Sequence, residues 1–579
     1  MLRTTILLVS FFVFLHAAEA QNESHRISES EKAAMPEYLR TISQIQATGI
    51  TTPPLSPVRA SAEWEEIDAL IITWTNYQSI LKEIVRYSRT ETRVLIICTD
   101  SNSVKTYLTN NGVPLSNVSY IITPYNSVWV RDYGPWNIYT NDVDSLALID
   151  WIYNRPRPQD DMVPTAAANY TGLPIYQTTV TPNDLIHTGG NFMTDGFGTG
   201  FSSNLILTEN PSKTPAQIDT IVSHFMGINR YIKMTTLPYD EIHHIDMHLK
   251  LLDEETILVG EYPPGVADGP QIEANLQYIL NNYNSVFGTP YKVVRIPMPP
   301  DASGRYPDNL GDYRTYANAV FVNKTIILPV YAQQYDTTAV RIWKEALPGY
   351  SIKTINCNSI ITALGAIHCI TKEVASSNPL LISHQPLHDS HNQTAPYQID
   401  ARILHRSGID SATMYFRTDT TQPYLHLTMA LTNGATNTWT GFIPAQPAAS
   451  TVYYYIEASS VSGKTQVRPL PAPAAYWKFN ILLNVGLEET PTQSGLELLP
   501  AFPNPSKGIT CIPVTGNRSV EMTLTMKDLL GRTVNQIFTG RIPVGKKNYF
   551  MNTESLSSGV YLIELKTDEK SHIQKLIVR

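Results

Sequence analysis

The feature that most constrains this chain is a change of rhythm near residue 374. From Ala60 to about Glu373, strand-like and helix-like runs alternate. Ala69–Trp74, Arg93–Cys98 and Val118–Ile122 read as strands, with Gln78–Tyr87 and Ser103–Asn111 helical between them. The same alternation returns at 204–208/214–227, 255–260/270–287, 291–296 and 325–330/337–346. Repeating β-α units predict an α/β domain with its site on loops at strand ends. The rhythm alone leaves a doubly wound sheet, a barrel and a propeller-like arrangement open. Beyond Val374 the helical signal stops. Short alternating strands over 385–482 predict an immunoglobulin-like β-sandwich, followed by a polar linker at 483–498 and a small β-domain at 499–579.

The N-terminus carries Arg3, an apolar run from Ile6 to Leu15, and Ala18-Glu19-Ala20. That order reads as a signal peptide over 1–20. Residues 21–54 form a polar extension with room for one helix. With a net charge of −8 and no basic run, nucleic acid is not an expected partner, and no apolar run is long enough to span a bilayer. Four cysteines in an exported chain are too few for a disulfide framework. Cys98 reads as an inert core thiol, and a Cys357–Cys369 bridge is disfavoured.

Cys369 stands in Gly365-Ala366-Ile367-His368-Cys369-Ile370-Thr371, a context that brings a side chain to a strand end or loop as a nucleophile. In an extended segment its neighbour His368 points the other way, so the base must come from elsewhere, with His244 the best candidate by type. In His243-His244-Ile245-Asp246-Met247-His248, an extended backbone puts His244, Asp246 and His248 on one face. That face suits proton transfer beside a carboxylate, and equally a metal. Trp129-Val130-Arg131-Asp132-Tyr133-Gly134-Pro135 offers a carboxylate on a strand-exit loop, with Trp129 an aromatic face for a planar cation. Thr188-Gly189-Gly190-Asn191 and Thr194-Asp195-Gly196 permit close backbone approach or simply form turns. In Asn154-Arg155-Pro156-Arg157-Pro158, the prolines hold two guanidinium groups outward, as a carboxylate receptor requires.

Together W-x-R-D-Y-G-P at 129–135, G-G-N-x-M-T-D-G at 189–196, H-I-D at 244–246, Y-A-N at 316–318 and G-A-I-H-C-I-T at 365–371 resemble the Porphyromonas-type peptidylarginine deiminases. These lie within the guanidine-modifying superfamily that includes agmatine deiminase. The resemblance implies a pentein-like propeller of five ββαβ modules over 55–378, with no cofactor and no metal. It implies Cys369 as nucleophile, His244 as general acid/base, and Asp132 and Asp246 as clamps on a guanidinium. Asn318 falls where the family has an active-site asparagine, and Arg155 and Arg157 match its receptor for a substrate C-terminal carboxylate. Trp129 and Gly190 join the binding set. Where small-molecule deiminases commonly carry a glutamate before Gly-Gly, this chain has Thr188. The F-P-N-P-S-x-G opening at 502–508 and S-S-G-V-Y-L-I at 557–563 resemble a type IX secretion sorting domain. That resemblance implies export by its machinery, to the medium or the outer cell surface, with the tail removed or exchanged for an anchor.

The expected reaction is hydrolysis of arginine in peptides or proteins, preferentially at a C-terminus, to citrulline and ammonia through a covalent thiouronium on Cys369. A thiolate beside a protonated imidazole and a bound cation is expected to have a lowered pKa. The alternatives are a deiminase of agmatine (and so putrescine formation) or free arginine, a metal-dependent hydrolase on His244, Asp246 and His248, and a non-enzymatic surface binding protein.

Overall fold

A computed structural model describes residues 24–579 except 43, 45, 46, 484–495, 517, 518, 543 and 568–570. The expected signal peptide lies outside the described residues, as does most of the expected linker. The linker's last residues, Leu496–Leu498, form a strand of the C-terminal sheet.

Between Val58 and Ala375 one unit repeats five times: an antiparallel strand pair, a helix, and a strand parallel to the second of the pair. Parallel neighbours need such a crossover, and the helix covers one sheet face. Thus Leu249–Leu251 pairs antiparallel with Thr256–Glu261, the helix Gly269–Asn282 follows, and Lys292–Pro297 returns parallel. Trp136–Thr140/Leu146–Tyr153/Ile175–Thr178, Met193–Thr194/Thr199–Ser203/Arg230–Met234 and Val320–Val322/Thr325–Val330/Ser351–Asn356 repeat it. The fifth unit joins the ends of the region: Lys372–Ala375 pairs antiparallel with Ile67–Thr73, which runs parallel to Arg93–Cys98. That closure carries Cys369, three residues before Lys372, to the side of the motifs near the start of the region.

Local signals explain the elements. Gln78–Ser88 buries Ile80, Leu81, Ile84 and Val85, a single helical stripe. Pro215–Met226 begins with a capping box between Thr214 and Gln217. One expectation fails here: 204–208 is not a strand. Leu205–Glu209 is helical, and the strand precedes it at Thr199–Ser203, bonded to Arg230–Met234. The three-residue apolar run Leu205-Ile206-Leu207 fits either period, and tertiary pairing decided between them. In the N-terminal extension, the helix Glu29–Ile42 sets Tyr38 and Ile42 against Ile152.

From Leu381 to Asn480 the strands are all antiparallel, in the order Leu381–His384, Tyr397–Leu404, Thr438–Ile443, Leu425–Asn433, Ile409–Arg417, Thr451–Ser460, Thr465–Arg468. Trp477–Asn480 adds to Thr451–Ser460. Tyr397–Leu404 alternates buried with exposed or half-buried residues, so one face meets an apolar core. Lys464–Glu66, Arg468–Glu254 and Arg402–Asp142 ion pairs join this region to the first. The last residues form a three-stranded and a four-stranded sheet around a separate Leu/Ile/Met core. No described helix is long and apolar enough to cross a membrane. All four cysteines are buried and free.

Candidate active site

The loops between repeats bring the motif residues to one buried place. Asp132 sits on the single helical turn Val130–Tyr133, ended by Gly134 and Pro135. Its Oδ1 accepts the Gly190 N–H at 3.1 Å. A Cβ on Gly190 would meet His244 Nδ1 at 2.5 Å and Asp132 Oδ1 at 3.0 Å, so this close approach admits only glycine. Gly365 likewise leaves room for the indole of Trp129, 2.4 Å from where its Cβ would be.

The segments carrying Asp246 and Cys369 are not extended, contrary to expectation. Ile245–Met247 and His368–Ile370 are 3₁₀ turns. At three residues per turn successive side chains differ by about 120° rather than 180°, so both His368 and Cys369 reach Asp246. His368 Nδ1 lies 2.7 Å and Cys369 Sγ 3.5 Å from Asp246 Oδ2. His368 does not point away from the site; its Nε2 stands 2.9 Å from Glu63. Asn318 braces the nucleophile segment: its Nδ2 lies 3.2 Å from Cys369 Sγ, and its Oδ1 accepts the N–H groups of His368 (3.0 Å) and Cys369 (3.4 Å).

His244 faces the other carboxylate, its Nδ1 3.6 Å from Asp132 Oδ1 and its Nε2 3.4 Å from Thr188 Oγ1. The same turn sends His248 elsewhere, buried with neither ring nitrogen hydrogen-bonded. The expected metal set of His244, Asp246 and His248 is therefore not assembled. Among the described residues, the histidine-carboxylate group close enough to share one cation is His25, Asp132 and His244.

Two groups stand in charge states other than those expected beside a bound cation. Burial pushes the Cys369 thiol well up, and the carboxylates of Asp246 and Asp132 add to the rise. Burial also lowers His244 to about 4 against the pull of Asp132, leaving a neutral imidazole. Burial opposes ionisation of Asp132 too, yet His25 and His244 hold its carboxyl well below the usual range. Asp246 is likewise lowered despite burial, chiefly by its bond to His368. In this arrangement Cys369 is a thiol, and two ionised carboxylates face the pocket with no hydrogen-bonded lysine or arginine among the described residues.

Below His368 lies a second charged cluster. Glu63 pairs with Lys250 and His368 and approaches Arg131 at 3.7 Å; Arg131 bridges to Glu373 at 2.8 Å, and Glu373 meets Lys372 at 2.9 Å. Lys372 lies 3.4 Å from the Trp136 ring centre. Neither Glu63 nor this role of His368 was evident in the sequence.

Arg155 and Arg157 are buried beside the pocket rather than displayed. Arg155 Nη1 donates to the carbonyl of its neighbour Asn154 (3.0 Å), and the other partners belong to the N-terminal extension: Arg155 Nη2 lies 3.4 Å from the carbonyl oxygen of His25, Arg157 Nη2 donates to that of Ser24 (3.1 Å), and Arg157 Nε to Glu31 (2.8 Å). Trp129 has a ring stacked on it, that of His25, centroids 4.1 Å apart and planes within 3°. Nothing in the polar stretch before Pro53 marked His25 as a pocket residue.

Comparison with known proteins places the chain in a family. The model of the Porphyromonas-type peptidyl-arginine deiminase family matches residues 59–374, more than half of the chain, and that of a secretion system C-terminal sorting domain matches 500–579. Two relatives, each named "Putative agmatine deiminase", come from Mycoplasma mycoides subsp. mycoides and Vibrio parahaemolyticus. Each is 26% identical, over 44% of this chain and 77% of the relative for the first and 45% and 78% for the second. The solved agmatine deiminase of Enterococcus faecalis shares the fold, with a TM-score of 0.50 at 17% identity over 57% of this chain and all of that one. The sorting domain implies export by the type IX secretion machinery. The family model spans every motif that meets at Cys369, and the chain belongs to the Porphyromonas-type peptidyl-arginine deiminase family of guanidine-group deiminases.

Proposed function

We propose that this chain deiminates arginine in peptides or proteins, preferentially at a C-terminus, after export to the medium or the outer cell surface. The observation that carries the reading is the convergence of two ionised carboxylates, Asp132 and Asp246, with the Trp129 indole and the Cys369 thiol around a seat that one flat ring, that of His25, fills and that suits a planar cation. In this reading the five repeats form a five-bladed propeller, strands 385–482 an immunoglobulin-like sandwich, and the pocket opens at the propeller centre.

A guanidinium held by Asp132 and Asp246 adds positive charge beside Cys369 and reverses the effect of the carboxylates on the thiol. Neutral His244 takes the thiol proton, and Sγ forms a bond to the guanidinium carbon. One C–N bond then breaks, its nitrogen leaving as ammonia with the proton returned by His244. The thiouronium stays positively charged and clamped until water, losing a proton to His244, displaces the thiolate. The ureido product is neutral, loses its ion pairs and leaves. Asn318 fixes Cys369, and Arg155 and Arg157 address the substrate's terminal carboxylate through charge-assisted bonds.

Peptides ending in arginine, peptides with internal arginine, agmatine and free arginine, each assayed for ureido product, test this reading. It expects the first to be the best substrate. Deimination of agmatine alone would favour the second reading, for which the names of the relatives speak. Thr188 at the position of the usual glutamate speaks against it.

A further inference from the structure

We infer that residues 24–31 are a built-in occupant of the active site, and that the pocket opens to substrate only when this segment is withdrawn. The inference rests on the proposed guanidinium slot and adds a control to it. His25 is fully buried. Its ring lies flat on Trp129, its edge meets His244 at a centroid distance of 5.0 Å, and its Nε2 bonds to Asp132 Oδ2. The other ring nitrogen bonds to the carbonyl of Leu364 at 2.8 Å, and its backbone N–H donates to Ala363 at 3.0 Å. An imidazole shares with a guanidinium a flat face and in-plane N–H donors. The seat of His25 is therefore the one that a guanidinium clamped by Asp132 would take, and the two exclude each other.

The backbone around His25 is held as a peptide ligand is. The carbonyls of Ser24 and His25 face Arg157 and Arg155, and Glu31 pairs with Arg157. Both groups proposed to receive a substrate carboxylate are engaged by the same segment. The helix Glu29–Ile42 then anchors it, with Met35, Tyr38, Leu39 and Ile42 packed on Ile152 and Ile186. A ligand tethered this closely acts at an effective concentration on the order of millimolar. Free substrate must compete with it, and apparent affinity falls by the fraction of chains that are open.

The test uses the full exported chain and two readouts: alkylation of Cys369 by a neutral haloacetamide, and ureido product from peptides ending in arginine. His25→Ala is expected to speed alkylation and lower KM, each by about tenfold or more, with kcat little changed. Leu39→Asp, which loosens the anchoring helix without touching the pocket, is expected to shift both in the same direction. A synthetic peptide of residues 24–31 added to His25→Ala should slow alkylation again. If neither variant speeds alkylation or lowers KM, the inference is overturned. Faster alkylation with no product from any guanidine would keep the occupant and reject the deiminase reading. Product formation with unchanged alkylation and KM would do the reverse.

Discussion

His368 joins two clusters of buried charge that are completed in opposite ways. On one side Glu63 and Glu373 are surrounded by Arg131, Lys250 and Lys372, each charge within ion-pair distance of an opposite one. On the other, Asp132 meets the ring of His25 and Asp246 that of His368, beside a neutral His244 and a thiol, and neither carboxylate has a hydrogen-bonded lysine or arginine among the described residues. Against burial, Arg131 and Lys372 hold Glu373 at about 2, while burial brings Lys372 down to about 8 against the pull of Glu373, so both stay charged near neutrality. Burying charge is tolerable when partners surround it; a buried carboxylate met by imidazoles alone marks a place for a cation to come. The difference teaches that the lower cluster supports and the upper one acts. Glu63 fixes His368, His368 fixes Asp246, and Asp246 is left one oxygen without a hydrogen bond.

The largest expected effect is on chemistry alone. Cys369→Ala should reduce ureido product by at least about 10⁴-fold while the melting temperature stays within a few degrees. Appreciable turnover by that variant would place the nucleophile elsewhere. Next comes a break in the supporting cluster. Glu373→Gln leaves Arg131 and Lys372 without their carboxylate and should cost about 3–5 kcal/mol of stability, read as a lower first thermal transition. An unchanged melt would mean that the cluster is not structural. Asp132→Asn sharpens the contrast, because the two clusters should respond with different signs. It should lose about 2–4 kcal/mol of transition-state stabilisation, on the order of 30- to 1,000-fold in kcat/KM, with stability kept or raised. A large fall in its melting temperature would show that Asp132 belongs with the supporting group.

The smallest effect concerns His248, which belongs to neither cluster. Burial lowers it to about 4, against about 6.5 in an unfolded chain. Below 6.5 the unfolded chain binds a proton that the folded one refuses, so stability is fully present above 6.5 and lost as pH falls towards 4. The loss is about 3 kcal/mol at most. His248→Leu removes two nitrogens that lack hydrogen-bond partners, and its acid unfolding limb should be flatter than that of the parent. An identical limb in thermal melts from pH 7 to 4 would contradict the assignment.

Much of this arrangement was legible in the sequence. Alternating strands and helices located the α/β region, because each unit carries its own periodicity and caps. Asp132, His244, Asp246 and Cys369 could each be named from the short segments that carry them, and Asn318 through the family resemblance alone. The rest depends on geometry that periodicity does not encode. The 3₁₀ turn at His368–Ile370 reversed the expected direction of His368. Glu63 sits in a short loop, and its pairing with His368 spans 305 residues. His25 lies in a polar stretch without period, and only its seat against Trp129 gives it meaning. Arg155 and Arg157 were expected to be displayed but are buried, because the N-terminal extension covers them.

The central claim is that Cys369 forms a covalent bond to a guanidinium carbon held between Asp132 and Asp246. Acid quenching during turnover of a peptide ending in arginine, followed by mass analysis of the segment containing Cys369, tests it most directly. An adduct on Cys369 equal to the substrate less ammonia is expected, absent when Asp132→Asn is treated identically. Ureido product released at full rate by Cys369→Ala, with no adduct on the parent enzyme, would contradict it.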